Sequence, residues 1–359
     1  MTSPPLTGGA SVVVCGAGPA GSAAAVLLAA RGATVTLLER VADPTAVGAG
    51  LLLQPNGLAV LDALGLKDRL RTCAHKSTGA GLRDDRGRTL AEARCPDSGT
   101  VTYRHNGSEH SLTADLVVGA DGVHSVVRDS GHFGSRVTNT GHRYLRGIVP
   151  TTRNTPVAEY WTSLGLFGCS PLGDGAAYIY ANASAPPVRE ALADSDLARL
   201  RAAWSGALPV VAPLVEGISR LDGVPVNDVE RVDCDRYNDG RLVLIGDAAH
   251  AMAPTLGQGA NSALVDAAVL ALELGQSADV AEGCAAYSRR RRPPVRRVQR
   301  DAARLARLSA VESAAGRRLR NTLLRAVSRP ALIERRFRAA QQEDPADLAR
   351  GVRGLLAPA

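Results

Sequence analysis

The sequence predicts an α/β fold: a mostly parallel sheet with helices on both faces, a mixed β-sheet inserted into it, and helices at the C-terminal end. Three observations predict it. Apolar, β-branched runs lead into glycine-bearing turns near Ser11, Leu116 and Arg241, and alanine-rich helical segments follow the first and third. Strands alternating with helices in this way build parallel layers.

The first run, "SVVVCGAGPAGSAAAVLLAARGATVTLLER", reads as strand, tight turn, helix and strand. Ser11 to Cys15 is of buried-strand type, Pro19 suits a first helical turn, Ala20 to Arg31 favours helix, and Gly32 stops it before the strand Thr34 to Leu38. Gly16, Gly18 and Gly21 fit G-x-G-x-x-G, which provides a tight turn, close approach to a pyrophosphate, and close packing of helix on strand. Unpaired N–H groups at the helix start favour phosphate. Glu39, at the tip of the second strand, is placed to accept hydrogen bonds from an adenosine ribose. The pattern predicts a dinucleotide site without choosing between FAD and NAD.

In "LTADLVVGADGVHSVVR", Leu116 to Val118 is a buried strand, Asp121-Gly122 a turn, and Arg128 follows about two helical turns later. A hairpin around Asn106-Gly107 is expected just before it. The third stretch, "GDAAHAMAPTLGQGAN", follows the strand Arg241 to Ile245 and opens the helix Ser262 to Leu274. An aspartate at that strand tip, Asp247, can bind a sugar-alcohol hydroxyl. The helix start at Gly257-Gln258-Gly259-Ala260-Asn261 offers backbone donors to a flat ring that becomes negative on reduction.

Composition narrows the function classes. With 359 residues, 45% of them hydrophobic, the chain can bury a large core, and its net charge of +7 favours anionic ligands. The basic run Arg289 to Arg292 lacks interleaved aromatics and is expected to be a solvated helix end, which argues against nucleic acid. Six scattered cysteines form no C-x-x-C pair, so neither a metal site nor a disulfide framework is expected, and a reducing cytoplasm fits. Val12 to Ala30 is uncharged, but its glycines and Pro19 argue against a membrane span. Beyond Tyr287, two or three basic amphipathic helices are expected, broken at Pro293-Pro294 and at Pro330. Val295, Val298, Ala302, Leu305 and Leu308 form one apolar stripe. Monomer and homodimer are both compatible with this tail.

Taken in order, "GAGPAG" with "LLER", "GADGVHSVVR" and "GDAAHAMAPTLGQGAN" resemble the single-component FAD-dependent aromatic hydroxylases with the p-hydroxybenzoate hydroxylase fold, from about Ser11 to about Leu308. Among them the salicylate hydroxylase, 3-hydroxybenzoate 6-hydroxylase and urate hydroxylase group looks nearest. The resemblance implies a discontinuous, Rossmann-like FAD-binding domain (1–72, 112–135, 241–290), a substrate domain (73–111, 136–240) and a C-terminal helical segment (291–359). It implies FAD held by Gly16, Ala17, Gly18, Ala20, Gly21, Glu39, Arg40, Asp247, Gly257, Gln258, Gly259, Ala260 and Asn261, with Asp121 positioning FAD and NAD(P)H.

It also implies a monooxygenase that uses NAD(P)H and dioxygen on a small aromatic or polyketide-like substrate. Pro254 would lie at the flavin face and Tyr178 at the substrate, while Tyr180 shares the parity of Tyr178. Phe167 falls where the urate branch carries an active-site arginine, which argues against urate. An epoxidase or a dehydrogenating oxidoreductase of the same fold is the alternative enzyme.

One departure stands out. Where family members carry a helix starting with a cofactor-contacting arginine, and then a parallel strand, this chain has only Cys95-Pro96-Asp97-Ser98-Gly99. A parallel crossover needs a dozen or more residues, so the sheet is expected to lack a strand and expose an edge. Arg83, Arg86, Arg88 and Arg94 are the nearby surrogates for the arginine. A cofactor-poor accessory protein is the non-enzymatic reading of that gap.

Overall fold

The computed structural model describes residues 9–39, 51–73, 80–84, 89–93, 114–151, 155–173, 175–222, 224–327 and 330–357. The chain starts with β1 (Ser11–Cys15), α1 (Pro19–Ala30) and β2 (Thr34–Leu38), followed by α2 (Pro55–Ala63) and α3 (Lys67–Cys73). β3 (Ala80–Asp84) and β4 (Thr89–Ala93) pair with each other, then β5 (Leu116–Gly119) returns to the first layer and the short α4 (Val126–Asp129) follows. The inserted layer continues with β6 (Arg136–Pro150), β7 (Ala158–Thr162), β8 (Gly165–Gly173) and β9 (Ala176–Asn182), then α5 (Pro186–Ala193), α6 (Leu197–Ala207), α7 (Ala212–Glu216) and β10 (Val226–Asp233). β11 (Asn238–Asp239), β12 (Leu242–Leu244), α8 (Asp247–His250) and α9 (Gly259–Gln276) complete the first layer. α10 (Val280–Ser309), α11 (Ala314–Val327), α12 (Pro330–Ala340) and α13 (Pro345–Leu356) close the chain.

The first sheet has the order β11-β12-β5-β1-β2 and is parallel from β12 to β2. Its buried strands Val12, Val14, Leu116 and Val118 pack on Leu27 and Leu28 of α1 and on α9, whose residues Ala263 to Leu272 are all buried. The second sheet, β10-β6-β9-β8-β7-β3-β4, is mixed, since β3 joins β7 in parallel. One face, with Phe167, Ile179 and Ala181, packs on Leu200 and Trp204 of α6. The expected α/β architecture with an inserted mixed sheet is thus present.

Among the described residues β2 pairs only with β1, and Leu37 on it is 40% exposed. The expected hairpin at Asn106-Gly107, Arg40, and the surrogates Arg86, Arg88 and Arg94 lie outside the described residues. Arg83 is described only as a backbone position of β3.

Three expectations about the C-terminal tail are corrected. Pro293 and Pro294 do not break a helix; they sit inside the 30-residue α10. The carbonyls they leave unbonded belong to Arg289 and Arg290 on the solvated side, where water can satisfy them, while Tyr287, Arg291, Val295, Val298, Ala302 and Ala306 keep one buried stripe through both prolines. Leu308 is 41% exposed and falls off that stripe. Nor is the basic run simply solvated. Arg291 is fully buried against Asp266, and Arg290 bridges Glu273 and Glu343 at 2.8 and 2.9 Å.

Candidate active site

The carboxyl ends of β1, β5 and β12 converge, and each delivers one motif to a common cleft. This is the position at which open parallel sheets bind ligands. The three motif glycines differ in what surrounds them. Gly16 has φ +100°, and a Cβ on it would fall 2.4 Å from the Ala120 carbonyl oxygen; on Gly21 it would fall 1.9 Å from that of Gly16. These two glycines are required by the protein's own packing. Gly18 is different: among the described residues a Cβ there meets nothing within 4 Å, so its absence leaves space in front of α1 with respect to them.

That open space is lined by donors. Among the described residues neither α1 nor α9 has a side-chain cap, so none of these occupies the first-turn N–H groups at Ala20, Gly21, Gly259, Ala260 and Asn261, which can serve a ligand. Ala17 N–H donates to Glu39 Oε2 at 2.8 Å, so the carboxylate at the tip of β2 already touches the glycine loop. Asp121 Oδ2 accepts from Val126 N–H and Val127 N–H at 2.8 and 3.2 Å, while its Oδ1 is buried and has no partner among the described residues. Asp247 combines two properties that seldom coincide. Its side chain is open to solvent, yet desolvation by the surrounding walls pushes its carboxyl above the ordinary range. A group on the floor of a narrow cleft behaves this way.

Gln258 and Asn261 contribute differently from a direct side-chain contact. Both are buried, and they clamp the chain entering α2: Asn261 Oδ1 accepts from Gln54 N–H at 2.8 Å, and Gln258 Nε2 donates to Gln54 Oε1 at 2.6 Å. What this segment can offer a ligand is backbone, with Gly257 in the left-handed region at φ +60°. Pro254 is exposed at the cleft, and the next residue, Thr255, anchors its turn by donating to the Ala302 carbonyl at 2.7 Å. Arg128 is 2% exposed and donates from Nη1 to the Ala248 carbonyl at 3.1 Å, tying the second motif to the third.

Behind the cleft, Asp266 collects Gly246 N–H at 2.9 Å, His250 Nε2, and Arg291 Nε at 2.7 Å. Burial acts to raise the Asp266 carboxyl, but His250 and Arg291 outweigh it and hold the group below its ordinary range. This network fixes the turn that carries Asp247.

The second sheet roofs the cleft. Strand register places Tyr144, Arg146, Tyr178, Tyr180, Ser170 and Glu159 on the face opposite α6. Tyr180, Trp161 and Leu166 on that face pack with Ala253 and Leu256 beside Pro254, and Arg146 is close enough to act on both Asp247 and Tyr178. The Tyr178 and Tyr180 rings lie 5.6 Å apart. Phe167 faces the other way, edge-on to Trp204 at 5.2 Å, so its identity carries no information about the substrate. Sequence reasoning missed Arg146 and Glu159; the signal was their parity with the tyrosines, visible only once the strands are paired.

Backbone donors at two helix starts, an open glycine step, an acid at the tip of β2 and an exposed aspartate after β12 are groups that could hold FAD. The family model of the FAD binding domain matches residues 9–98 and 90–302, in two segments that meet where the departure lies. The 2-heptyl-3-hydroxy-4(1H)-quinolone synthase of Mycobacteroides abscessus is 29% identical, over 88% of this chain and 94% of that protein. The 3-amino-4-hydroxybenzoate 2-monooxygenase of Streptomyces cremeus is 31% identical, over 72% of this chain and 77% of that protein. The solved tetrameric form of 2-methyl-3-hydroxypyridine-5-carboxylic acid oxygenase superimposes with a TM-score of 0.76 at 25% identity, covering 94% of this chain and 97% of that one.

Proposed function

The chain belongs to the FAD-binding-domain family and is an FAD-dependent monooxygenase with NAD(P)H as reductant; from that premise we propose that it hydroxylates a small, flat aromatic ring held between the cleft and the tyrosine-bearing sheet. The reading rests on one observation above others: Tyr178, Tyr180 and Arg146 face Asp247 and the Pro254 turn across a cleft lined by exposed backbone donors. Relatives that act on an aminohydroxybenzoate and a hydroxypyridine carboxylate support an aromatic substrate.

Gly16 to Gly21 would hold the FAD pyrophosphate, Glu39 its ribose, Asp247 its polyol, and the start of α9 its ring; bound there and reduced by NAD(P)H, FAD supplies the activation of dioxygen. The protein's own part is orientation and exclusion of water. Tyr178 and Tyr180 offer a stacking wall, Arg146 a cation for an anionic ring substituent, and the Pro254 turn, pinned through Thr255, a fixed rim. Domain limits and monomer-or-dimer assembly stay as proposed from the sequence. Among the described residues no helix is long and apolar enough to cross a membrane.

The test is FAD titration of the full chain, followed by NAD(P)H oxidation across a panel of hydroxybenzoates, hydroxypyridines and quinolones. Substrate-stimulated oxidation with one atom of labelled dioxygen in a hydroxyl product supports the reading. Absence of flavin uptake refutes it, and an epoxide or a desaturated product moves the assignment to the alternative reactions.

A further inference from the structure

α11 turns its polar side to the protein and its apolar side outward. Arg320 is buried beneath it, with its guanidinium 5.2 Å from the centre of the Trp161 ring, and donates to the carbonyls of Leu308 at 3.0 Å and Trp161 at 3.3 Å. Asn321, also buried, accepts the Arg320 Nε–H at 3.0 Å, and Leu324 packs on the cluster that holds Trp161. On the opposite side Ala315, Leu319 and Leu323 recur at every fourth position and are exposed, as is Ala326. Leu319 is 62% exposed and Leu323 55%, which makes them the two most exposed leucines among the described residues. Arg318 and Arg325, both exposed, run along one margin of this stripe. A helix at a water-facing surface normally has the reverse arrangement, with leucines inward and arginines in solvent.

Charge is concentrated in the same part of the chain. Residues 302–340 hold ten arginines against two glutamates, a balance of +8, which exceeds the +7 of the whole protein, so the rest of the sequence is close to neutral. The occupant of the outward stripe must therefore suit both leucine and a dense positive field. A second copy of this chain would cover the leucines, but a two-fold contact would bring these like charges together. Nucleic acid would meet the arginines and leave the leucines in water. A bilayer rich in anionic phospholipid suits both, because its phosphates accept from arginine while its acyl boundary takes up apolar side chains. The arginine stems can lie along that boundary with their heads at the phosphates.

We propose that the outward face of α11 docks on anionic phospholipid bilayers, with Leu319 and Leu323 entering the boundary between headgroups and acyl chains and Arg318 and Arg325 on the lipid phosphates. The contact is peripheral, with the helix lying in the plane of the surface. Arg320 holds the helix in this orientation from behind, and through Trp161 it ties the docking face to the sheet that roofs the cleft.

The docking face is independent of the flavin reading and is tested without it. The full chain should sediment with vesicles of mixed phosphatidylglycerol and phosphatidylcholine but not with pure phosphatidylcholine, and the bound fraction should fall as salt rises. Leu319→Ser combined with Leu323→Ser should weaken vesicle binding at least about 10-fold. The thermal midpoint should stay that of the wild type, because both side chains point away from the protein. Arg318→Gln should weaken binding about 5-fold at low salt. The two native tryptophans, Trp161 and Trp204, are buried, so the emission of Leu319→Trp should shift to the blue when anionic vesicles are added. Four results overturn the proposal: vesicle binding that survives loss of both leucines, unshifted emission in Leu319→Trp, preference for duplex DNA over the vesicles, or a dimer that the paired leucine substitutions dissociate.

Discussion

Asp266 Oδ1 accepts the Arg291 Nε–H at 2.7 Å with both side chains fully excluded from solvent. The pair locks α9 to α10, and through Oδ2 the same carboxylate holds Gly246 N–H at the turn that presents Asp247. Removing one partner strands the other charge. Arg291→Met should therefore cost about 3–5 kcal/mol, read as a lower midpoint in urea. The folded Asp266 carboxyl is held below its ordinary range, so its contribution is complete above the unfolded value and is lost as pH falls through the folded one. In Asp266→Asn the acid limb of the stability profile should flatten; an unchanged acid limb would contradict the assignment.

The glycine loop separates folding from ligand binding. Gly21→Ala must displace the Gly16 carbonyl and should destabilise the chain by more than 1 kcal/mol. Among the described residues Gly18→Val meets no atom near its Cβ, so thermal stability without FAD should stay within about 0.5 kcal/mol while flavin affinity collapses. Calorimetry of the apoprotein beside a flavin-fluorescence titration distinguishes the two.

Arg146 predicts a split in kinetic constants. Arg146→Gln should raise KM for a carboxylate-bearing substrate about 10- to 100-fold, the loss of one hydrogen bond to a charged group, with flavin uptake nearly unchanged. Equal KM values for charged and uncharged substrates in both proteins would show that the guanidinium meets no anion.

Phe167 predicts the opposite pattern. It stacks edge-on to Trp204 in the core behind the sheet, so Phe167→Ala should cost about 3–5 kcal/mol. KM of the surviving folded enzyme should be unaltered. A substrate-specific KM change at constant stability would put Phe167 on the wrong face.

The parts legible in the sequence are those encoded by neighbours in the chain. Gly16, Gly18 and Gly21 with Glu39 announce a strand, turn, helix and strand because each residue's task is set within one local unit. Tyr178 and Tyr180 share a face by simple alternation. What escaped depends on partners far away. Arg291 reads as one of four exposed arginines until Asp266, 25 positions earlier, is brought against it. Pro293 and Pro294 read as a helix break because local propensity cannot weigh a stripe buried on both sides of them. Glu159 becomes visible only through a register that sets it opposite Gly168 and beneath the hydroxyl of Tyr180.

The unbroken α10 has a mechanical consequence. Near its first third Arg291 grips the floor of the cleft, and further along Ala302 grips the Thr255 turn while Ala306 lies in the cluster with Trp161 and Leu166. A single rod about 45 Å long thus spans floor and roof. The roof cannot swing away on its own like a hinged jaw without shearing those anchors, so ligand traffic must pass by side-chain and loop movements around a frame of constant gap.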